Sequence, residues 1–452
     1  MAKNKWFGTD GVRGVANEFP MTAEFAFKLA CALAQKVCLN KKKAVIAKDT
    51  RISGDMLEAS MIAGFTAMGV DVVRLGILPT PAVTTFVDKL DCDMAVMITA
   101  SHNPYQDNGI KLIGADGDKF ADEVTAEIEN LIERNDFVFD KNKLGKVSED
   151  VSIKDKYKQI AYDMCQNQPL FKGMKIVADC ANGCFYDILP EVLKHLGAEV
   201  AAIGVEPNGV NINRDCGSQH VEAMLDKVKE VKADMGIAVD GDGDRIKICD
   251  NNGNLIKSEQ LMAFLAQDLQ QSGENKGRPF ASTKLSNTAL ERFVTQKLGL
   301  QYYSTGVGER YVIKALKEHD GMIGGEESGH IVLLDYAKSG DAMMTAIRIL
   351  KGVAKSAKKV DEIFPLFDDD YLFYKNYSVA DKDMVKKIAN HPELSELVDK
   401  LSQQIGGNGR VVIHPSGTEP KIRVWVCGND NALVQDCGVQ LWNKIEKLAN
   451  IE

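Results

Sequence analysis

Apolar and polar positions repeat in one order three times along this chain. Each copy has an apolar run typical of a buried strand, a helical segment, a second apolar run ending in a turn, another helical segment, and a third apolar run that enters a polar loop with glycine. The first copy contains AVIAKDT, VDVVRLGILPT and MAVMITASHNP, the second MKIVADC, AEVAAIGVEPNG and MGIAVDGDGDR, and the third PFASTKL, QYYSTGVGER and MIGGEESGH. One intervening helix, DILPEVLKHLG, is expected to end at Gly197.

Alternating strands and helices predict an α/β fold of mostly parallel sheets, with ligand loops at the carboxyl ends of the strands. We therefore expect three repeated α/β/α domains that direct three loops to a central cleft. After Asp370 the pattern changes to a helix, a strand, the loop HPSGTEP, the strand IRVWV and a final helix, which predicts a smaller α+β domain. The predicted domains span residues 1–155, 156–255, 256–370 and 371–452.

Composition and charge narrow the class of protein. The 452 residues are 45% hydrophobic and 26% charged, as in globular proteins, and the chain is too long for one core. A formal net charge of -9 argues against nonspecific nucleic-acid binding. Because the sequence has neither a signal peptide nor an apolar run of about 18 residues, we expect a cytoplasmic protein with no membrane partner. The 10 cysteines are scattered, which favours reduced core residues over a zinc or redox site.

The loop DGDGDR lies between the apolar runs MGIAV and IKICD. Its aspartates, Asp240, Asp242 and Asp244, alternate with glycines that permit a tight turn, so their carboxylates can converge on one hard cation. An EF-hand is excluded, because its sixth and twelfth positions need Gly and Glu where this chain has Arg245 and Asn251. An Asp/Gly-rich hairpin turn is the remaining alternative, and it explains one Asp-Gly pair better than two.

The loop TASHNP follows the third apolar run of the first copy, where a sheet delivers nucleophiles to a cleft. Ser101 has no G-x-S-x-G surroundings, which argues against an esterase. A nearby cation would stabilise a phosphoryl group on Ser101, whose oxygens would complete the coordination sphere. Taken alone, SHNP is more typical of an Asx or ST turn.

Two side chains compete for the role of proton donor or acceptor. The segment NGIK returns Lys111 towards the Ser101 loop, where nearby cations would lower its pKa. His102 is the other candidate, and the residues alone do not decide between them. A plain surface position is the commonest setting for a lysine.

Three further segments carry polar groups that suit hydroxyl or phosphate ligands. GGEESGH offers carboxylates, a hydroxyl and an imidazole for sugar hydroxyls, although a polar turn is the commoner meaning of such a segment. The loop SGTEP, with Arg423 close behind, can form an anion-binding nest or a simple turn. Arg13 lies in the glycine-flanked segment FGTDGVRG and can approach a phosphate with two nitrogens.

The motifs TDGVRG, TASHNP with NGIK, DGDGDR, GEESGH and SGTEP occur in the order typical of the α-D-phosphohexomutase superfamily, which the whole chain resembles. FGTDGVRG, PNGVNINRDCGS, VGERYV and SGTEPKIRV most resemble bacterial phosphoglucosamine mutases. The resemblance implies a heart-shaped enzyme whose fourth domain is TATA-binding-protein-like. It also implies interconversion of glucosamine 6-phosphate and glucosamine 1-phosphate, towards UDP-N-acetylglucosamine and cell-wall synthesis.

The resemblance further implies residue roles. Ser101 would be the phosphoserine, and one Mg²⁺ would join its phosphate to Asp240, Asp242 and Asp244. Glucosamine 1,6-bisphosphate or a related bisphosphate would be the intermediate, and a homodimer is expected. The reacting phosphoryl group would be contacted by Arg13, His102, Lys111 and Arg245, with Lys111 as general acid/base. The sugar hydroxyls would be recognised by Glu326, Ser328 and His330. The second phosphate would be bound by Ser416, Gly417, Thr418 and Arg423.

Two departures from the family pattern leave questions open. His414 stands where relatives have an arginine two residues before the SGTEP serine, so phosphate binding is expected to be weaker or to depend on pH near 6.5. Glu327 stands where many relatives have Gln, which leaves the sugar preference open. The alternatives are a phosphomannomutase or phosphoglucomutase, a metal-dependent sugar phosphatase, and a binding protein, although the last should have lost Ser101 or the aspartates.

Overall fold

The computed structural model describes residues 5–8, 10–416 and 420–451. The first domain begins with an edge strand and alternates strands with helices. Its elements are β1 (Val12–Val15), α1 (Ala23–Lys36), β2 (Lys43–Lys48), α2 (Ser53–Ala67), β3 (Asp71–Ile77), α3 (Thr80–Phe86), β4 (Met94–Ile98), β5 (Asp107–Gly114), α4 (Asp122–Arg134) and β6 (Val147–Glu149).

The second and third domains repeat this plan with shorter elements. The second contains α5 (Ser152–Met164), β7 (Lys175–Asp179), α6 (Ile188–His195), β8 (Glu199–Ile203), α7 (Glu222–Val231), β9 (Met235–Val239), β10 (Ile246–Cys249) and β11 (Leu255–Ile256). The third contains α8 (Ser258–Gln271), β12 (Phe280–Thr283), α9 (Thr288–Arg292), β13 (Tyr302–Thr305), α10 (Glu309–Glu318), β14 (Ile323–Gly325), β15 (Ile331–Leu333), α11 (Ala342–Ser356) and α12 (Val360–Ile363).

All three sheets contain the same four-strand arrangement: β5-β4-β2-β3, β10-β9-β7-β8 and β15-β14-β12-β13. The last three strands of each set are parallel, and the first returns antiparallel to its neighbour. The predicted threefold repeat and the parallel sheets are confirmed. Because β4, β9 and β14 occupy equivalent places, the loops that follow them leave the sheets at equivalent points.

The fourth domain has a small antiparallel sheet of order β16-β18-β17. Its elements are β16 (Tyr371–Ser378), α13 (Lys382–Ala389), α14 (Pro392–Ile405), β17 (Gly409–Pro415), β18 (Lys421–Gly428) and α15 (Asn431–Ile451). The α+β prediction is confirmed, but the sequence reading omitted the opening strand β16. This strand lies at the sheet edge and leaves most of its residues exposed, so its apolar signal is weak.

The central strands of the first two sheets are fully buried. Strands β4 and β9 are buried at every position, as expected for sheets covered on both faces. Helix α6 ends at His195 and is followed by Gly197 with φ 97°, which confirms the expected helix stop.

One apolar cluster includes residues of the first three domains, whereas the fourth domain has its own cluster. The 10 cysteines are buried side chains, as expected.

In the described ranges, no helix is both long and apolar enough to cross a bilayer.

Candidate active site

Ser101 follows β4 and is buried, with a left-handed backbone φ of 53°. Its Oγ donates a hydrogen bond of 2.6 Å to Asp240 Oδ2, although the two residues belong to different domains. Nδ1 of His102 lies 3.4 Å from the same Oγ. The structure therefore brings the predicted nucleophile directly to the aspartate loop.

Asp240, Asp242 and Asp244 lie between β9 and β10, and one oxygen from each carboxylate lies within 4.8 Å of the others. All three are buried. Burial raises the pKa of Asp240, and the charges of Asp244 and Asp242 raise it further. Oδ1 of Asp242 has no hydrogen-bond partner among the described residues. Converging oxygens, mutual repulsion and an orphaned buried oxygen fit a hard divalent cation.

The two glycines of DGDGDR permit close contacts that a side chain would block. Gly243 has φ 77°, and a Cβ there would lie 2.2 Å from the Phe185 ring. A Cβ on Gly241 would lie 2.7 Å from the carbonyl oxygen of Ser101. Gly241 thus allows the aspartate loop to pack against the Ser101 loop, and Gly243 allows it to pack against Phe185.

Lys111 lies on β5, opposite Met97 of β4, as the sequence predicted for a returning strand. Its Nζ donates to Asp242 Oδ2 at 2.5 Å and to Asp244 Oδ2 at 3.1 Å. Burial acts to lower the pKa of Lys111, but Asp242, Asp244 and Asp10 outweigh it and raise the pKa. The expectation of a lowered pKa is therefore wrong for this arrangement, because the lysine faces carboxylates rather than cations.

His102 lies among cationic groups. Burial lowers its pKa to about 4, and the charges of Arg245 and Arg13 act in the same direction. Arg13 lies on β1 beside β5 and approaches Asp10 at 3.5 Å. The backbone N–H of Arg245 donates to Asp240 Oδ1 at 3.1 Å. The imidazole is thus neutral, and both arginines lie in the surroundings of Ser101.

The loop after β14 reaches the aspartates through His330. Nε2 of His330 lies 3.1 Å from Asp244 Oδ1, and Nδ1 lies 3.1 Å from Glu326 Oε2. Burial acts to lower the pKa of His330, but Asp244 and Glu326 raise it to about 10. Arg245 Nε also lies 3.2 Å from Nε2. An imidazolium cannot accept from Arg245, and the two flanking carboxylates favour the imidazolium, so this last contact is not a hydrogen bond in that state.

Glu326 and Ser328 both contact Nδ1 of this histidine. Glu326 Oε1 accepts the N–H of Gly308 at 2.9 Å, and Ser328 Oγ lies 3.1 Å from His330 Nδ1. Burial acts to raise the pKa of Glu326, but its hydrogen bond to His330 and the charge of that ring lower it. The loop therefore presents an ionised carboxylate, a hydroxyl and an imidazolium together.

The SGTEP loop is described only in part. Gly417 and Thr418 lie outside the described residues, whereas Ser416 is buried and its N–H donates to Lys421 O at 2.9 Å. Arg423 lies opposite His414 in the β17–β18 pair. Burial lowers the pKa of His414 to about 4, and Arg423 and Lys284 contribute. The expectation of a pH dependence near 6.5 is therefore wrong, because this imidazole is neutral well below that pH.

A cavity of about 640 Å³ opens beside the aspartates. Its wall includes Lys111 and Asp244, with Asp10, Thr80 and Glu309 nearby. Sequence reasoning missed Thr80, whose Oγ donates to Asp242 Oδ2 at 2.5 Å. Its place just after β3, at the carboxyl end of a parallel strand, was a usable signal.

The amino-acid sequence of this chain matches a known protein family. Four Phosphoglucomutase/phosphomannomutase segments match in order: α/β/α domain I over residues 4–139, domain II over 155–253, domain III over 257–369 and the C-terminal domain over 375–443. A Phosphoglucosamine mutase from Mesorhizobium japonicum is 43% identical over 439 residues, covering 96% of both chains.

Solved structures share the fold at lower identity. A Phosphoglucomutase/phosphomannomutase family protein from Burkholderia thailandensis has a TM-score of 0.81 at 23% identity, covering 99% of this chain and 98% of its own. Aspergillus fumigatus N-acetylphosphoglucosamine mutase, in complex with GlcNAc-6P and magnesium, has a TM-score of 0.69 at 16% identity, covering 99% and 96%.

Proposed function

Because this chain belongs to the phosphoglucomutase/phosphomannomutase family, we propose that it interconverts glucosamine 6-phosphate and glucosamine 1-phosphate. The chain is a phosphosugar mutase of the α-D-phosphohexomutase superfamily. The hydrogen bond of 2.6 Å between Ser101 and Asp240 is the observation that carries the mechanism, since it joins a serine nucleophile to a cation-binding loop. The product would feed UDP-N-acetylglucosamine synthesis.

The reaction proceeds in two phosphoryl transfers. In the first, a sugar hydroxyl attacks the phosphorus of phosphorylated Ser101 and the P–Oγ bond breaks. The sugar oxygen gives up its proton to a group of the site and Oγ takes one up, so that the net change is the transfer of the hydroxyl proton to Oγ. The resulting bisphosphate turns over, and Ser101 Oγ then attacks the other phosphorus and releases the product. No electrons are gained or lost, and the enzyme regains its phosphoryl group. Such transfers depend chiefly on positioning and charge stabilisation.

Asp240, Asp242 and Asp244 would hold one Mg²⁺, with an oxygen of phosphorylated Ser101 as a further ligand. When bound, the ion would neutralise charge on the phosphoryl oxygens. The support for this assignment is the orphaned Oδ1 of Asp242 and the buried, converging carboxylates.

The surrounding cations would stabilise the transferred group. Arg13 and Arg245 can each place two N–H donors on phosphoryl oxygens. Lys111, which is protonated in its contact with the aspartates, would donate a proton during transfer, and neutral His102 is placed to accept one from Ser101 Oγ.

The other two loops would bind the rest of the substrate. Glu326, Ser328 and His330 offer acceptors and donors to sugar hydroxyls. The phosphate that is not reacting would be held by the SGTEP loop and its neighbouring cation, that is by Ser416, Gly417, Thr418 and Arg423. Holding the two ends of the sugar separately would allow either phosphate to face Ser101.

The proposal is tested by a mutase assay with glucosamine 6-phosphate, Mg²⁺ and a trace of the bisphosphate. Ser101→Ala should lose at least about 1,000-fold in kcat, because the nucleophile is gone. Ser148→Ala, which removes an exposed hydroxyl from β6, should keep full activity. An active Ser101→Ala variant would remove the phosphoserine mechanism. Turnover of glucose or mannose phosphates in place of glucosamine phosphate would leave only the superfamily reaction.

Three expectations from the sequence remain predictions. They are the domain boundaries, a homodimer, and a cytoplasmic location. Light scattering on the purified protein would test the dimer, and a single-subunit mass would contradict it.

A further inference from the structure

Arg51 is a buried arginine whose every N–H has an acceptor. Arg51 lies shortly after the end of β2. The side chains of Arg51 and Asp49 are both fully buried. Nε donates to Asp49 Oδ2 at 2.9 Å. Each terminal nitrogen donates to two backbone carbonyls, and the four carbonyls belong to Ser101, Asn103, Pro104 and Asp107. All five donors of the guanidinium are thus used, four of them on the loop of the proposed phosphoserine.

Asp49 connects the same arginine to the amide of the nucleophile. Its Oδ2 accepts the Thr99 hydroxyl at 2.7 Å, and Thr99 Oγ in turn accepts the N–H of Ser101 at 2.9 Å. The backbone of Ser101 is therefore held at its carbonyl by Arg51 and at its N–H through Thr99 and Asp49.

This double hold explains an unusual backbone conformation. Ser101 has φ 53°, in the left-handed region that residues other than glycine seldom adopt. Such a conformation persists where surrounding contacts impose it, and it aims the side chain. Here the aimed atom is Oγ, which lies 2.6 Å from Asp240 Oδ2.

A residue of the second domain reaches the same carbonyls. Nδ2 of Asn213 donates to Ser101 O at 2.8 Å and to Asn103 O at 3.0 Å. Asn213 is itself left-handed, with φ 57°, and its N–H donates to Ala181 O at 2.8 Å. It lies in the segment PNGVNINRDCGS, to which sequence reasoning assigned no chemistry.

We propose that Arg51 and Asn213 are positioning residues for phosphoryl transfer, which fix the carbonyl of Ser101 and thereby aim Oγ at the aspartate loop; the proposal rests on the mutase function proposed above. Neither side chain bonds to Ser101 Oγ, and their partners are backbone carbonyls. Both should therefore affect the rate of transfer more than the binding of the sugar.

The first test replaces Arg51 with lysine, which keeps the charge but has three donors in place of a planar fork of five. The enzyme is loaded with labelled phosphate on Ser101, and transfer to glucosamine 6-phosphate is followed in a single turnover. Arg51→Lys should slow this step by about 10- to 100-fold, because small misplacements of reacting groups have effects of this size. KM should change by less than about threefold.

Arg348→Lys is the matched control. Arg348 is 2% exposed and pairs with Asp268 at 2.7 Å and Glu274 at 3.0 Å, away from the Ser101 loop. Both variants lose a buried guanidinium and should show a similar fall in Tm. Only Arg51→Lys should lose transfer rate, which a merely structural contribution would not affect in the loaded enzyme.

Asn213→Gly supplies a second test that holds if Arg51→Lys fails to fold. Glycine adopts the left-handed backbone of Asn213 but removes both donors. It should slow single-turnover transfer by about tenfold, whereas Asn167→Gly, also left-handed at φ 55° and exposed, should not. Wild-type transfer rates in Asn213→Gly and in every folded Arg51 variant would overturn this proposal alone. A wild type that transfers no phosphoryl group from Ser101 would overturn the proposed function together with it.

Discussion

Lys111 is buried and His414 is half-buried, and their neighbours set their charges in opposite directions. Burial lowers the pKa of His414 to about 4, helped by Arg423 and Lys284. Burial acts against the charge of Lys111 as well, yet Asp242 and its neighbours raise that pKa. Residue type alone therefore gave the wrong titration at both positions, because the sequence does not show which charges lie beside each group.

Replacing His414 with arginine should lower KM for the phosphosugar at pH 8 by up to about tenfold, because a charged donor would face the phosphate loop. Since the pKa of His414 is about 4, the wild-type ring is uncharged at both pH 6.5 and pH 8. The ratio of wild-type to variant KM should thus be equal at the two values. His195→Arg adds the same charge at an exposed position and should leave KM unchanged. An unchanged or higher KM in His414→Arg would contradict the prediction that a charged donor at this position strengthens phosphate binding.

The loops after β4 and β9 meet backbone to backbone at Gly241. A Cβ at this position would lie 2.7 Å from Ser101 O, closer than such contacts allow. Gly241→Ala should therefore push the two loops apart and reduce kcat by about 10-fold or more. Gly407→Ala, where a Cβ meets nothing within 4 Å, is the matched control. Equal kcat values for the two variants would mean that the loops adjust without loss.

A buried hydrogen bond joins helix α5 to the residue that precedes α11. Tyr157 Oη donates to Asp341 Oδ2 at 2.7 Å, while Asp341 Oδ1 accepts the N–H of Met344 and caps α11. Tyr157→Phe should lower the free energy of unfolding by about 1–3 kcal/mol, because a carboxylate oxygen loses its partner in the interior. Urea unfolding measures this change. Tyr374→Phe, at an exposed tyrosine, should stay within about 0.5 kcal/mol, and a similar value for Tyr157→Phe would contradict the argument.

The sequence predicted the strands and loops that periodicity and turn residues determine locally. The three repeats and the positions of Ser101 and Asp240 after buried strands were of this kind. Strand β16 was missed because its residues alternate weakly and lie at an edge. The pairing of β1 with β5 joins segments about 95 residues apart, and no local pattern specifies such a partner.

Contacts between domains were beyond sequence reasoning for the same reason. The site is assembled from the first domain's Ser101 and Lys111, the second domain's Asp240 and Asp244, and the third domain's His330. The sequence of each loop indicated the chemistry of that loop. The hydrogen bonds and ion pairs between loops, however, depend on how the three sheets are placed relative to one another. Arg51 illustrates the limit, because a single arginine after a strand carries no signal that its partners are four carbonyls of another loop.

A cation bound at the aspartates, as proposed above, would contribute to the stability of the whole molecule. Burial and the charges of Asp244 and Asp242 raise the pKa of Asp240, so three ionised carboxylates are unfavourable together without an ion. An ion that binds the folded state raises the free energy of unfolding by about 2.7 kcal/mol at 100 times its Kd. Chelator-treated protein should therefore have a lower Tm, and Mg²⁺ should restore it.

Asp242→Asn should lose most of that response, since it replaces the carboxylate whose Oδ1 is orphaned, whereas Asp250→Asn, at a buried aspartate outside the triad, should retain it. Thermal melts with and without millimolar Mg²⁺ measure both. If the Tm of the wild type does not change with Mg²⁺, the metal assignment is contradicted, whereas the placement of Ser101 is unaffected. An equal response in Asp242→Asn would contradict the assignment of Asp242 as a ligand, because Asp240, Asp242 and Asp244 are the converging group of His, Cys, Asp or Glu found in the described ranges.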